Sequence, residues 1–79
     1  MSQLLGIINR LQNMQEQGTI NGDAPQRFFE RDGVRMCSVS FHQHSNTFQL
    51  EIYKDGEKPK SYQFDNIDMI AIEIYDLLN

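Results

Sequence analysis

The dipeptide Asp32-Gly33 separates two short runs of alternating polar and apolar residues, and it is the feature that most constrains the fold of this chain. Asp-Gly tolerates the positive φ angles that a two-residue hairpin turn requires. The flanking runs, Gln26 to Arg31 and Val34 to His42, are therefore predicted to be adjacent antiparallel strands.

Two more strands are predicted after this hairpin. Asn46 to Lys54 alternates in the same way, and a second Asp-Gly, Asp55-Gly56, opens a polar loop. Pro59 has no backbone donor, so the last strand, Lys60 to Phe64, is expected to begin just after it. Short turns between consecutive strands favour a meander.

The first segment, Ser2 to Gln17, has the spacing of apolar residues that is typical of an amphipathic helix. Ser2 suits its N-cap, Gly18 is expected to end it, and Thr19 to Pro25 is a polar connector. The predicted apolar face of this helix consists of Leu4, Ile7, Ile8, Leu11 and Met14.

A second helix is predicted to begin near Asp65, with Asp65 as its N-cap and Asp68 three residues later, as in a capping box. Met69 and Ile72 fall on its polar side. Its broad apolar face is predicted to consist of Ile67, Ile70, Ala71, Ile74, Leu77 and Leu78.

Helix, four strands and helix, within 79 residues, predict one small domain over residues 1–79. Because each strand is apolar on one face only, the fold class is α+β: a two-layer sandwich with both helices on one face of a mainly antiparallel sheet of four, or three to four, meandering strands.

Composition bounds the compartment and the partners. A single cysteine excludes an intramolecular disulfide, which fits a cytoplasmic protein, and no signal peptide or membrane-spanning run is expected. The net charge of −4 argues against nucleic acid. All of that excess is in residues 65–79, which contain four acids and no basic residue.

The segment Cys37 to Ser45, CSVSFHQHS, carries a thiol and two imidazoles. Side chains alternate across a strand, so Cys37 is predicted to lie on the core face and His42 on the other face, which excludes a Cys–His nucleophilic pair. His42 and His44 alone provide too few ligands for a zinc site, and with no second cluster of Cys or His, carboxylates such as Glu51 would have to complete the set. We therefore predict no metal, no cofactor and no catalytic residue.

The same alternation predicts an outer sheet face that is polar and weakly charged. It is a solvated surface or, because charge depletion is common at interfaces, a contact surface for a partner. This outer face consists of Ser38, Ser40, His42, Thr47, Gln49, Glu51, Tyr53, Ser61 and Gln63.

Three stretches, MSQLLGIINRLQNMQE, QRFFERDGVRMCSVSF and DGEKPKSYQFDNIDMIAIEIYDLL, together span most of the chain. They resemble the YkuJ-like family of small bacterial proteins. The resemblance implies a cytoplasmic bacterial protein of compact α+β build. It implies no established activity, cofactor or catalytic residue.

These observations favour a non-enzymatic module that contacts an unknown protein partner or forms a homodimer. Symmetric pairing of the last helix would bring acids against acids, so a basic partner is favoured there. The candidate interaction residues are Met69, Ile72, Glu73, Asp76, Ser38, Ser40, His42, Gln49 and Tyr53.

Two alternatives remain. One is a small-ligand or metal-binding protein, or an enzyme, that uses His42, Glu51 and Tyr53 on the outer sheet face. The other is weak binding of single-stranded nucleic acid, which interleaved acids disfavour. The residues for the latter are Arg27, Arg31, Arg35, Lys54, Lys58 and Lys60, with Phe28, Phe29 and Tyr53 to stack.

Overall fold

The computed structural model describes residues 3–17 and 25–79. The predicted N-cap Ser2, the helix end at Gly18 and the connector at 19–24 lie outside this part of the chain. The elements are α1 (Gln3–Gln17), β1 (Gln26–Arg31), β2 (Val34–His42), β3 (Thr47–Ile52), β4 (Lys60–Phe64) and α2 (Ile67–Leu78).

The four strands form one antiparallel sheet in the order β1-β2-β3-β4. α2 contacts all four strands and also packs against α1. The first turn of α1 lies beside the end of α2, where Asn79 Nδ2 donates to Gln3 Oε1 at 3.4 Å. The predicted two-layer α+β fold with a meander sheet is confirmed.

The β1–β2 turn follows its local sequence. Asp32 has φ 52° and Gly33 has φ 80°, so both central residues take the left-handed conformation that this type of hairpin turn requires. At the β2–β3 turn the same conformation falls on Asn46, with φ 55°, and asparagine tolerates it better than most residues do.

The core lies between the sheet and the helices, and it contains the apolar faces predicted for both. Leu4, Ile8, Ile52, Phe64, Ile67, Leu77 and Leu78 are half-buried at its margin. The fully buried residues are Ile7, Leu11, Met14, Phe29, Cys37, Val39, Phe41, Phe48, Leu50, Ile70, Ala71 and Ile74.

Strict alternation along β2 is interrupted near its start. Phe29 lies opposite Cys37 but Glu30 lies opposite Arg35, so Met36 is an extra residue in β2 and forms a β-bulge. Arg35 Cζ lies 4.1 Å from the centre of the Phe28 ring. The odd-numbered Arg35 therefore lies with Phe28 on the outer face, whereas simple alternation placed it with Cys37.

β3 is shorter than the predicted Asn46 to Lys54. Asn46 belongs to the preceding turn, where its N–H donates to Gln43 O at 3.3 Å. At the other end Tyr53 N–H still donates to Met36 O at 3.1 Å, and Lys54 O accepts from Glu57 N–H in the next loop. Turn hydrogen bonds therefore replace ladder bonds at Asn46 and Lys54, whereas Tyr53 keeps one bond to β2.

The prediction for the start of α2 was wrong. The N-cap is Asn66, whose Oδ1 accepts from Asp68 N–H at 2.8 Å and from Met69 N–H at 3.3 Å. Asp68 is therefore at the second helical position and not the third, so the predicted capping box with Asp65 does not form. Asp68 still lies in the first turn, where its charge complements the helix dipole.

Candidate interaction surfaces

The solvent side of α2 carries two large apolar side chains among acids. Met69 is 59% exposed and Ile72 is 51% exposed, and residues three apart on a helix are neighbours. Asp68, Glu73 and Asp76 are exposed on the same helix. We call this set of five residues the α2 outer face.

The nine predicted interaction residues do not form one surface. Met69, Ile72, Glu73 and Asp76 lie on the helix layer, on the side of α2 away from its buried residues. The other five lie on the sheet face that points away from both helices, because they alternate with the core residues of β2 and β3. A partner that covers one group leaves the other group free.

Hydrogen bonds join three strands across the outer sheet face. His42 Nε2 lies 2.9 Å from Gln49 Oε1. Since an amide oxygen only accepts, His42 donates from Nε2. Gln49 Nε2 in turn donates toward Ser61 Oγ at 3.5 Å, so Gln49 links β2 to β4.

A second hydrogen bond covers Ser38. The Tyr53 hydroxyl donates to Ser38 Oγ at 3.0 Å, and Ser38 is only 3% exposed. The sequence had placed Ser38 on an open surface. Ser38 points to the outer face as predicted, but its hydroxyl is bound by Tyr53. Phe28 lies opposite Ser38 on the neighbouring strand.

The two histidines are not arranged as a metal site. His42 is held by Gln49 at the end of β2, and His44 is exposed in the following turn. Within residues 3–17 and 25–79, no three His, Cys, Asp or Glu side chains are grouped closely enough to hold a metal ion.

Cys37 lies in the core as predicted. It is fully buried and is a free thiol. Burial disfavours the thiolate and raises the pKa of Cys37 from 9.0 to about 11. At neutral pH this side chain is a small apolar residue and not a nucleophile.

One feature of the outer sheet face was not predicted from the sequence. Val34, Arg35, Met36, Tyr53, Lys54 and Asp55 line an open cleft of about 290 Å³. The bulge at Met36 is what brings the Arg35 guanidinium to this face, over Phe28. The adjacent pair Phe28 and Phe29 was the signal for an aromatic ring on the outer face, since neighbouring strand residues point to opposite faces. The bulge itself has no such signal.

Stacking residues for nucleic acid are fewer than the sequence indicated. Phe29 is buried in the core and Phe28 is covered on one side by Arg35. Arg35 also lies 3.9 Å from the carboxylate of Glu30, and Arg31 lies 4.0 Å from that of Asp32. Glu30 and Asp32, which lie between the arginines in sequence, are therefore also close to the arginine side chains in the structure.

Among the described residues, neither helix has the length and apolar character needed to cross a membrane. Fold and surfaces together define a small two-layer α+β protein with a four-stranded meander sheet and two separate candidate interaction surfaces. The chain belongs to the family described as a protein of unknown function, DUF1797, which it matches over residues 7–78.

A bacterial relative agrees with this assignment both in sequence and in structure. The chain is 50% identical, over 78 residues, to the uncharacterized protein YkuJ of Bacillus subtilis (strain 168), covering 99% of each sequence. It also superposes on an X-ray structure of the YkuJ protein from Bacillus subtilis with a TM-score of 0.91 at 49% identity, covering 98% of each chain. The resemblance to the YkuJ-like family is confirmed.

Proposed function

We propose that this chain is a non-enzymatic, cytoplasmic protein-interaction module whose α2 outer face binds a partner segment that is basic and partly apolar. The observation that carries the proposal is the exposure of Met69 and Ile72 side by side. Scattered apolar residues are normal on a surface, but an adjacent pair with a charged rim has the build of a small contact site.

The charge of this face specifies the partner. Residues 65–79 contain four acids and no Lys or Arg, so a second α2 would be repelled, whereas Lys and Arg side chains would be attracted. Exposed charges steer association and set its salt dependence more than its affinity. Binding is therefore expected to weaken as salt is raised.

The polar groups of the outer sheet face fit this non-enzymatic proposal. The Ser38 hydroxyl accepts from Tyr53, and His42 Nε2 donates to Gln49. These contacts hold both side chains in place on a flat sheet. The Ser38 hydroxyl contacts Tyr53 and not an imidazole base, and nucleophilic catalysis by serine needs such a base.

The test is differential capture from a lysate of the native host. The double variant Met69→Glu with Ile72→Glu should lose a partner that the wild-type chain retains. Val34→Glu is the matched control, because Val34 is also 59% exposed but lies on the β hairpin. The captured protein is then purified and titrated against all three chains at low and high salt.

Support requires a purified partner that binds wild type and Val34→Glu, fails to bind the double variant, and binds less tightly at high salt. Equal binding to the double variant would refute the assignment of the α2 outer face. A wild-type chain that captures no protein beyond the bare matrix would also count against the proposal.

A second candidate is binding of a small anionic ligand on the outer sheet face. The open cleft beside Tyr53 favours it, since the two cations that line this space, Arg35 and Lys54, outnumber its one acid, Asp55. Its volume is at the lower limit for a ligand pocket. The check is extra small mass on untagged protein from its own host, lost in the variant Arg35→Gln and retained in His42→Ala.

A further inference from the structure

β4 lies at an edge of the sheet and pairs only with β3 among the described elements. An edge strand presents free backbone N–H and C=O groups to any strand that approaches. The usual protections are charges, proline within the strand and bulges. β4 has one charge, Lys60, no internal proline, and a regular register with β3.

The other edge is better protected. β1 carries Arg27, Glu30 and Arg31 in six residues, and its pairing with β2 contains the bulge at Met36. The two edges therefore differ in their tendency to accept another strand, and β4 is the open one.

Tyr62 marks the centre of the open edge. It lies opposite Leu50 in the β3–β4 register, which places it on the core side of the sheet as the sequence predicted. Nevertheless it is 47% exposed, whereas Leu50 is fully buried. Near β4 the helix layer therefore leaves part of an aromatic ring uncovered.

We propose that β4 pairs with β4 of a second copy, antiparallel about a two-fold axis at Tyr62, so that two sheets join into one continuous sheet. Residues that oppose each other across such an axis must point to the same face, and this register satisfies that requirement. It sets Tyr62 against Tyr62 of the partner subunit, and Ser61 against Gln63 of the partner subunit.

Charge at the two ends of β4 complements this arrangement. Lys60 is its first residue, with Lys58 just before it, and Asp65 directly follows its end. Antiparallel pairing brings the basic end of each strand to the acidic end of the other, twice in the dimer. Opposite charges so placed stabilise the pair and fix its direction.

The central contact adds apolar burial. The two Tyr62 rings meet on the core side, and aromatic cross-strand pairs are among those that stabilise a sheet. The inference does not depend on the α2 outer face, because β4 and the solvent side of α2 are different surfaces. The two proposals therefore stand or fail separately.

Cross-linking tests the register directly. Opposed residues in an antiparallel pair have Cα atoms about 4.5 to 5.5 Å apart, which suits a disulfide. Tyr62→Cys should therefore form a covalent dimer on mild oxidation. Ser61→Cys and Gln63→Cys should each cross-link poorly alone and should join when mixed. The native Cys37 is fully buried and does not interfere.

Sedimentation over a concentration series tests the dimer without cysteines. Tyr62→Lys sets two like charges in opposition and should raise the dimer Kd about tenfold or more. Val34→Lys, the matched change at an exposed residue away from β4, should leave the Kd unchanged. Lys60→Asp should weaken the dimer, and adding Asp65→Lys should restore it.

Three results would overturn the inference. The first is a wild-type chain that stays monomeric up to about 1 mM, where even weak specific pairs form. The second is a dimer that Tyr62→Lys does not weaken. The third is cross-linking that is no stronger for Tyr62→Cys than for Ser61→Cys alone.

Discussion

Asn66 and Asp65 show how a single side chain decides where a helix begins. Both are suitable N-cap residues and they are adjacent in sequence. The structure uses Asn66, whose backbone is extended, with φ −127° and ψ 123°, and whose Oδ1 accepts from two N–H groups of the first turn. Asp65 lies outside the helix, one residue before its N-cap.

This difference predicts unequal effects of two neighbouring alanine substitutions. Asn66→Ala should lower the free energy of unfolding by about 1 kcal/mol, because two N–H groups lose their acceptor. Asp65→Ala should change it by less than about 0.5 kcal/mol. Urea titrations with unchanged m-values measure both, and equal losses would contradict the assignment of the cap.

Cys37 gives a second prediction at the scale of one residue. Its pKa is raised to about 11 in the folded chain from the ordinary 9.0, so the unfolded state releases its proton first as pH rises. Stability from this group is complete below pH 9 and is lost as pH rises from there toward 11.

The matched variant is Cys37→Ala, which has no thiol to ionise. Its free energy of unfolding is lower than that of wild type at neutral pH because a small cavity forms. The gap should narrow by roughly 1 kcal/mol between about pH 8 and about pH 10. Parallel urea titrations test this, and a gap that stays constant would mean that Cys37 is not buried as described.

At the scale of elements, the hairpin and the first helix place glycine in opposite situations. Gly33 has φ 80° in the β1–β2 turn, whereas Gly6 lies within α1 with no atom within 4 Å of the position of an added Cβ. Gly33 adopts a backbone conformation that other residues resist, whereas Gly6 lowers the stability of α1.

Replacing each glycine with alanine should therefore change stability in opposite directions. Gly33→Ala should lower the free energy of unfolding by about 1 to 2 kcal/mol, because alanine resists a left-handed conformation. Gly6→Ala should raise it by about 0.5 to 1 kcal/mol. Thermal unfolding monitored by circular dichroism reads both, and changes of the same sign would contradict this description.

Elements that follow a strong local pattern are the ones that the sequence predicted well. The strands flanking Asp32-Gly33 have the predicted bounds, and the apolar stripes of both helices lie in the core. The structure differs from the prediction where two neighbouring residues are almost equally suited to one role, as Asp65 and Asn66 are to the N-cap. The bulge at Met36 has no local signal, because it depends on how β1 and β2 pair.

The surfaces were predicted less completely than the core. The exposure of Met69 and Ile72 follows from the helical period, and it is confirmed. The burial of Ser38 and the partial exposure of Tyr62 depend on what covers each residue in three dimensions. Alternation along a strand predicts the face to which each side chain points, but it does not predict which other residues bury that side chain.

At the scale of the whole molecule, the two layers separate two functions of the sequence. The core between helices and sheet holds the fold, while the α2 outer face and the β4 edge are the two surfaces proposed to contact other chains. A dimer through β4 would carry two α2 outer faces. It would therefore bind a partner with two basic segments more tightly than one α2 face alone would.

This separation predicts that the α2 outer face can be changed without unfolding the chain. The double variant Met69→Glu with Ile72→Glu should unfold within about 0.5 kcal/mol of wild type, because both side chains are more than half exposed. Urea titration checks this prediction. A large loss of stability would show that these side chains support the core and not a partner.

The central claim is that this chain acts through contacts with other proteins. Native mass spectrometry on untagged chain, purified gently from its own host, tests it most directly. The account predicts additional mass equal to a polypeptide other than this chain, and loss of that mass in the Met69→Glu, Ile72→Glu double variant, whereas a homodimer through β4 would persist in that variant. A bare monomer, or a chain that carries only a small molecule or a metal ion, would contradict the claim.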